Sequence, residues 1–201
     1  MQRTKYFVAH LLSGEIRQYH LSLTQELATR FNVAPLHKRV DPHITIKNFE
    51  ANEFELAQVE HVLARITADT DPIPLTIEGF GKFGYKTFFL DVQKSRDALM
   101  FARHCVYELN RLRWISVGRH EGEKLHASVA RYLRARQSRR IWRLLKRKET
   151  PHFKTRLDSI TIFKKPGTRW EAHRTFHLHT APVQFSQDLL QLPYEKLYSK
   201  S

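Results

Sequence analysis

Two short stretches, Pro42-His43-Ile44-Thr45-Ile46 and Leu125-His126-Ala127-Ser128-Val129, constrain this chain more than anything else in it. Both read as strands, with β-branched residues and period-two alternation. Alternate side chains of an extended chain share a face, so His43 lies beside Thr45 and His126 beside Ser128. His43 and His126 are 83 positions apart, and the same shift carries Phe80 onto Phe163 and Lys82 onto Lys165. An imidazole and a hydroxyl repeated in one register imply two copies of a unit, each presenting a His-x-Thr/Ser strand to a shared cleft.

The residues around the motifs repeat in the same order. Residues 3–12 read as a first strand, stopped by Ser13-Gly14. Ile16, Tyr19, Leu23, Leu27 and Phe31 fall at helical spacing over 15–31, and Asn32 and Pro35 end that helix. After the His43 strand, Asn52 is the expected N-cap of a helix over 53–67. Strands over 75–80 and 85–92 follow around Gly81-Lys82-Phe83-Gly84. The second unit runs from a helix after Ser95 to the His126 strand, then to a basic helix from Arg134 to Lys148. Strands over 153–163 and 169–178 close it around Lys164-Lys165-Pro166-Gly167. The expectation is an α+β fold: one bilobal domain over 1–180, with intertwined lobes built from about 13–92 and 94–178, and a C-terminal tail over 181–201.

A His-x-Ser/Thr tripeptide is weak alone; with 12 histidines in 201 residues, about 1.4 matches arise by chance. The chain has four. His20 falls in a helix, where i and i+2 do not face together, and reads as a surface residue. His173 is the stronger rival, sharing a strand face with Thr175, His177 and His179, but its strand has no counterpart histidine in the first unit. Those three histidines also suggest a metal site, against which stands the lack of any carboxylate or thiol cluster beside them.

Paired histidines suit displacement at a phosphodiester. One can begin neutral and act as a base, the other protonated and act as an acid, approaching phosphorus from opposite sides. Thr45 and Ser128 can donate to the non-bridging oxygens, and the scheme requires neither metal nor cofactor. Two such motifs about 80 residues apart in an α+β chain of this length resemble the two-histidine (2H) phosphoesterase superfamily, and within it the 2′-5′ RNA ligase-like RNA 2′,3′-cyclic phosphodiesterases. The resemblance covers about residues 3–178. It implies two antiparallel sheets about a pseudo-twofold axis, a central cleft, helices outside, and opening of a terminal cyclic phosphate to a 2′-phosphate. It further implies that His43 protonates the leaving 3′ oxygen, that His126 activates water, and that Thr45 and Ser128 hold the phosphate. Arg131 resembles an arginine found just after the second motif in that family; simple alternation turns it away from His126, so a bend is needed. Ser128 stands where threonine is commoner, and Ala127 replaces a larger residue.

Other residues offer grip on a substrate. Lys47, at i+4 from His43, continues the inward face and is placed either on the phosphate or in solvent at the strand end. Phe163 is placed to stack on a base, whereas Phe80 reads as core. The 34 Lys+Arg against 20 Asp+Glu, net +14, call for an anionic partner, and RNA or a nucleotide with a cyclic phosphate is the first choice. The arginines of 134–148 read either as an RNA-backbone contact or as a solvated face. Cys105 is the single cysteine, which excludes an internal disulfide and suits a reducing compartment. With no signal peptide and no run of about 20 apolar residues, the expectation is a cytoplasmic monomer. Rival functions are a 2′-5′ oligonucleotide phosphodiesterase or ligase-type enzyme, a non-catalytic RNA-binding module, and a histidine-metal hydrolase.

Overall fold

The computed structural model describes residues 3–93, 95–116, 118 and 124–179. The tail, with the packing expected of Leu189, Leu190, Leu192 and Tyr194, lies outside the described residues. Strand β1 (Thr4–Leu11) buries five successive residues, Tyr6 to His10, which marks it as an interior strand with both faces covered. Helix α1 (Gly14–Phe31) turns its Ile16, His20, Leu23, Leu27 and Phe31 stripe inward and ends at Asn32 in the left-handed conformation, φ 49°. Strand β2 (His43–Ala51) carries the first motif. Helix α2 (Glu53–Ala68) starts from the expected Asn52 cap, completed by a reciprocal bond from the Asn52 backbone N–H to Glu55. Strands β3 (Ile73–Phe83) and β4 (Thr87–Val92) form a hairpin whose turn is displaced from the expected 81–84: β3 runs on through Gly81 to Phe83, and Gly84 supplies the positive φ of 53°.

Helix α3 (Arg96–Asn110) is capped by Ser95, and β5 (His126–Ala130) carries the second motif. Helix α4 (Ala135–Leu145) buries Ile141 and Leu145 beneath its basic face. The chain then diverges from the expected single strand over 153–163. It forms β6 (His152–Leu157), breaks at Asp158, and continues as β7 (Ser159–Lys164) in the other sheet. The physical reason lies in the two halves of that stretch. HFKTRL alternates exposed and more buried residues, as a half-solvated edge strand does, whereas SITIF is buried throughout, as an interior strand requires. Strand β8 (Glu171–His177) ends the described fold.

Two four-stranded antiparallel sheets result, in the orders β2-β1-β7-β8 and β5-β4-β3-β6. This is the bilobal α+β fold with pseudo-twofold symmetry. The shift of 83 carries β1 onto β4, α1 onto α3, β2 onto β5, α2 onto α4 and β3 onto β7, so the repeat begins at a strand, one element earlier than the helix-first reading. Each sheet borrows from the other half: β7 lies against β1, and β3 against β4. One main apolar core runs through both sheets and all four helices, and a small second cluster of Phe7, Ala9 and Phe163 sits under His43. Among the described residues no helix is long and apolar enough to cross a membrane.

Candidate active site

The two motif strands share a distortion that decides what faces the cleft. In the β1–β2 ladder Val8 pairs with Lys47 and Ala9 with Thr45, so Ile46 is an extra residue, a β-bulge. In the β4–β5 ladder Phe88 pairs with Ala130 and Phe89 with Ser128, so Val129 is bulged in the matching position. Each bulge breaks alternation one residue after the hydroxyl. Ile46 and Lys47 are therefore both buried and Asn48 turns to the cleft, while Val129 and Ala130 are both buried and Arg131 turns to it.

The cleft is a cavity of about 310 Å³. His43, Thr45 and Asn48 of one sheet line it, with His126, Ser128 and Arg131 of the other; His20 and Phe83 contribute as well. The bend needed for Arg131 is the bulge at Val129. Two expected residues are placed elsewhere. Lys47 is fully buried and donates from Nζ to the Ser116 carbonyl at 2.7 Å, because the bulge at Ile46 reverses its face. Phe163 is also fully buried: its ring stacks on Phe7 at 4.6 Å, leaving no face for a base. Phe83, 43% exposed, is the aromatic side chain at the cleft wall.

Each histidine is held the same way. The Nδ1–H of His43 donates to the Asp41 carbonyl at 2.7 Å, and that of His126 to the Lys124 carbonyl at 3.0 Å, each two residues back. A carbonyl only accepts, so Nδ1 carries the proton in both rings and Nε2 is left without one in the neutral imidazole. Each ring also rests on two phenylalanines. His43 lies 4.9 Å from Phe7 and 6.0 Å from Phe163; His126 lies 4.9 Å from Phe83 and 5.0 Å from Phe89. In both places one ring comes from the neighbouring strand and one from the strand borrowed from the other half.

These surroundings disfavour the imidazolium. Desolvation is the largest cause of lowering His43 to about 4, the Asp41 carbonyl opposes it, and the positive charges of Arg131 and His126 add to it. His126 is lowered for the same first reason, with Arg131 and Lys124 adding positive charge nearby. Arg131 thus acts on both rings.

His20 corrects the surface reading. It is 4% exposed, and its Nε2–H donates to the Ser128 carbonyl at 2.9 Å, tying α1 to the second motif strand. Burial lowers it to about 4, and its Nδ1 is buried without a hydrogen-bond partner. His173 is not a cleft residue: its Nε2 lies 2.8 Å from Glu60, and Glu60 also takes Arg174. Among the described residues no group of three or more His, Cys, Asp or Glu side chains stands close enough to hold a metal ion. Asn48 and His20 escaped sequence reasoning. The shift of 83 held the signal for Asn48, since it falls on Arg131; for His20 the signal was its place at i+4 from Ile16 and i−3 from Leu23, on the inward stripe of α1.

A duplicated α+β fold with a histidine strand on each wall of one cleft is the architecture of the two-histidine phosphoesterases. The chain belongs to the 2′-5′ RNA ligase superfamily, whose model matches residues 14–186. Over 45 residues, 22% of this chain, it is 47% identical to a Geobacillus thermodenitrificans (strain NG80-2) protein whose name is that of a phosphoesterase; the match spans 26% of that protein. Similar folds occur in TT0787 of Thermus thermophilus (TM-score 0.62, 17% identity, 89% of this chain and 100% of that one). They occur also in Escherichia coli LigT in its apo form (TM-score 0.64, 16% identity, 90% and 100%) and in complex with 3′-AMP (TM-score 0.61, 15% identity, 90% and 100%).

Proposed function

We propose that this protein opens a terminal 2′,3′-cyclic phosphate on RNA to a 2′-phosphate, without a metal ion. The observation that carries this reading is the pair of imidazoles on opposite walls of one cavity, each with Nδ1 committed to a carbonyl and a hydroxyl two residues on. Nε2 of His126 takes a proton from water as the water oxygen bonds to phosphorus. The bond from phosphorus to the 3′ oxygen breaks, and Nε2–H of His43 protonates that oxygen. One proton enters and one leaves, so the proton balance closes on the two rings alone. The Thr45 and Ser128 hydroxyls donate to the non-bridging oxygens, and Arg131 offsets their charge.

The low pKa of His43 fits a site awaiting an anion. The free cleft disfavours a proton on either ring, and the phosphodiester's negative charge offsets Arg131 and restores the protonated form of His43 as substrate enters. The fold shared with a LigT structure solved with 3′-AMP supports a nucleotide ligand. The family's description favours one further reading, in which the same histidines act on a 2′-5′ linkage between nucleotides. Cys105, single and buried, suits the reducing cytoplasm, and the described chain supplies both walls of the cleft, so a cytoplasmic monomer is the working form proposed.

The test is incubation with a nucleoside 2′,3′-cyclic phosphate and a short RNA ending in one, in EDTA, with products read by phosphorus NMR. The 2′-phosphate is expected. A 3′-phosphate, or turnover that vanishes with EDTA, overturns the mechanism, and activity confined to 2′-5′ linked oligonucleotides replaces the substrate.

A further inference from the structure

Arg131 belongs to two cavities. Beyond the cleft it also lines a neighbouring hollow of about 250 Å³, with Asn32, Tyr132, Arg134 and Gln137 around it. Tyr132 is the anomaly there. Its backbone is left-handed, φ 59°, a strained conformation for a tyrosine. Its side chain is nevertheless 73% exposed, so no core packing offsets the strain. The ring lies 5.2 Å from the Arg131 guanidinium and otherwise stands open to solvent beside the hollow.

The wall around it is fixed. The amide of Gln137 donates to the Phe31 and Asn32 carbonyls, at 3.2 and 3.1 Å, and its oxygen accepts from the Arg134 backbone N–H at 3.0 Å. The Arg134 guanidinium has no carboxylate partner among the described residues. An exposed aromatic ring, a fixed polar wall and two cations together match a nucleotide: a π-face for the base and positive charge for its phosphate.

We propose that this hollow is a second nucleotide subsite. On the reading that the cleft takes a terminal cyclic phosphate, the next nucleotide of a single-stranded RNA stacks its base on Tyr132, and its phosphate lies between Arg131 and Arg134. The subsite selects RNA ends over free cyclic mononucleotides. Stacking on any base is sequence-tolerant, so this preference is for chain length and not for sequence.

The experiment compares a nucleoside 2′,3′-cyclic phosphate with a tetranucleotide carrying the same end, using wild type, Tyr132→Gly, Tyr132→Trp and Arg134→Gln. Glycine relieves the left-handed backbone, so Tyr132→Gly keeps the fold. KM for the tetranucleotide rises roughly 10-fold in Tyr132→Gly and Arg134→Gln, KM for the mononucleotide stays within about twofold, and Tyr132→Trp retains wild-type discrimination. Equal loss on both substrates, or no loss on either, overturns the subsite. Binding of a labelled tetranucleotide ending in a 2′-phosphate is measured alongside. Should wild type turn over neither substrate, weaker binding by Tyr132→Gly and Arg134→Gln still upholds the subsite, and unchanged binding overturns it.

Discussion

His43 and His126 are two copies of one arrangement: Nδ1–H on a carbonyl two residues back, phenylalanine rings beneath, Nε2 left for the cleft. Their lowered pKa values set a pH dependence. A bell-shaped kcat/KM profile reports the free enzyme, so its optimum lies on the acid side of 6.5, the ordinary imidazole value. The kcat profile lies at higher pH, because bound phosphate favours the protonated rings. Arg131 lowers both histidines, so Arg131→Gln raises them and moves the kcat/KM optimum upward while weakening substrate binding; an optimum that moves downward contradicts this electrostatic account. The histidines and their hydroxyls were legible in the sequence because two strands carried them in one register. Lys47 was misplaced because strict alternation does not foresee a bulge, and Ile46-Lys47 has no composition that announces one. His20 was hidden for another reason: its partner is the Ser128 carbonyl, 108 positions away, and backbone groups leave no trace in side-chain patterns.

At the scale of the element, the aromatic supports depend on close strand packing. Gly81 on β3 lies against the Phe89 ring, so that a Cβ there would overlap it, and Phe89 supports His126. Gly81→Ala is expected to cost about 1–3 kcal/mol through overpacking and to lower kcat as His126 tilts. A urea midpoint for stability and initial rates at saturating substrate check the two effects; unchanged values of both remove Phe89 as the prop. The sequence read Gly81 as part of a turn, since Gly-Lys-Phe-Gly has turn composition, and only the ladder from Phe80 to Phe83 shows the strand running through. Asp158 was harder. One residue moves the chain from the second sheet to the first, and what precedes and follows it is strand in either case. The change from alternating to continuous burial was written in the residues, but the sheet each half joins is a long-range choice.

The two halves of the chain are held together by exchanging strands, so they cannot separate without breaking the ladders β1–β7 and β3–β4. His20 adds a tie between α1 and β5 and has a thermodynamic consequence. Folding lowers it from 6.5 to about 4, so the unfolded chain binds a proton that the folded chain refuses. Stability is complete above about 6.5 and is lost as pH falls toward 4, by up to roughly 3 kcal/mol for this residue. His20→Gln flattens that decline in urea midpoints measured across the window; an unchanged slope shows that His20 is not its source. The net charge of +14 and the row Arg136, Arg139, Arg140 and Arg143 predict steep salt dependence for RNA. For single-stranded RNA each phosphate neutralised contributes about 0.7 to the slope of log affinity against log salt, so a cyclic mononucleotide shows a much smaller slope than an oligonucleotide.

On the proposed function, two histidines in one cleft move the protons of a metal-free phosphodiester opening. The direct measurement is hydrolysis of a nucleoside 2′,3′-cyclic phosphate in EDTA by wild type, His43→Ala, His126→Ala and the double variant. Each single change is expected to reduce kcat by about 10²–10⁴-fold, with the double variant little worse than either, because the two rings act as a unit. Turnover that persists in both single variants, or that requires a divalent cation in wild type, contradicts the account.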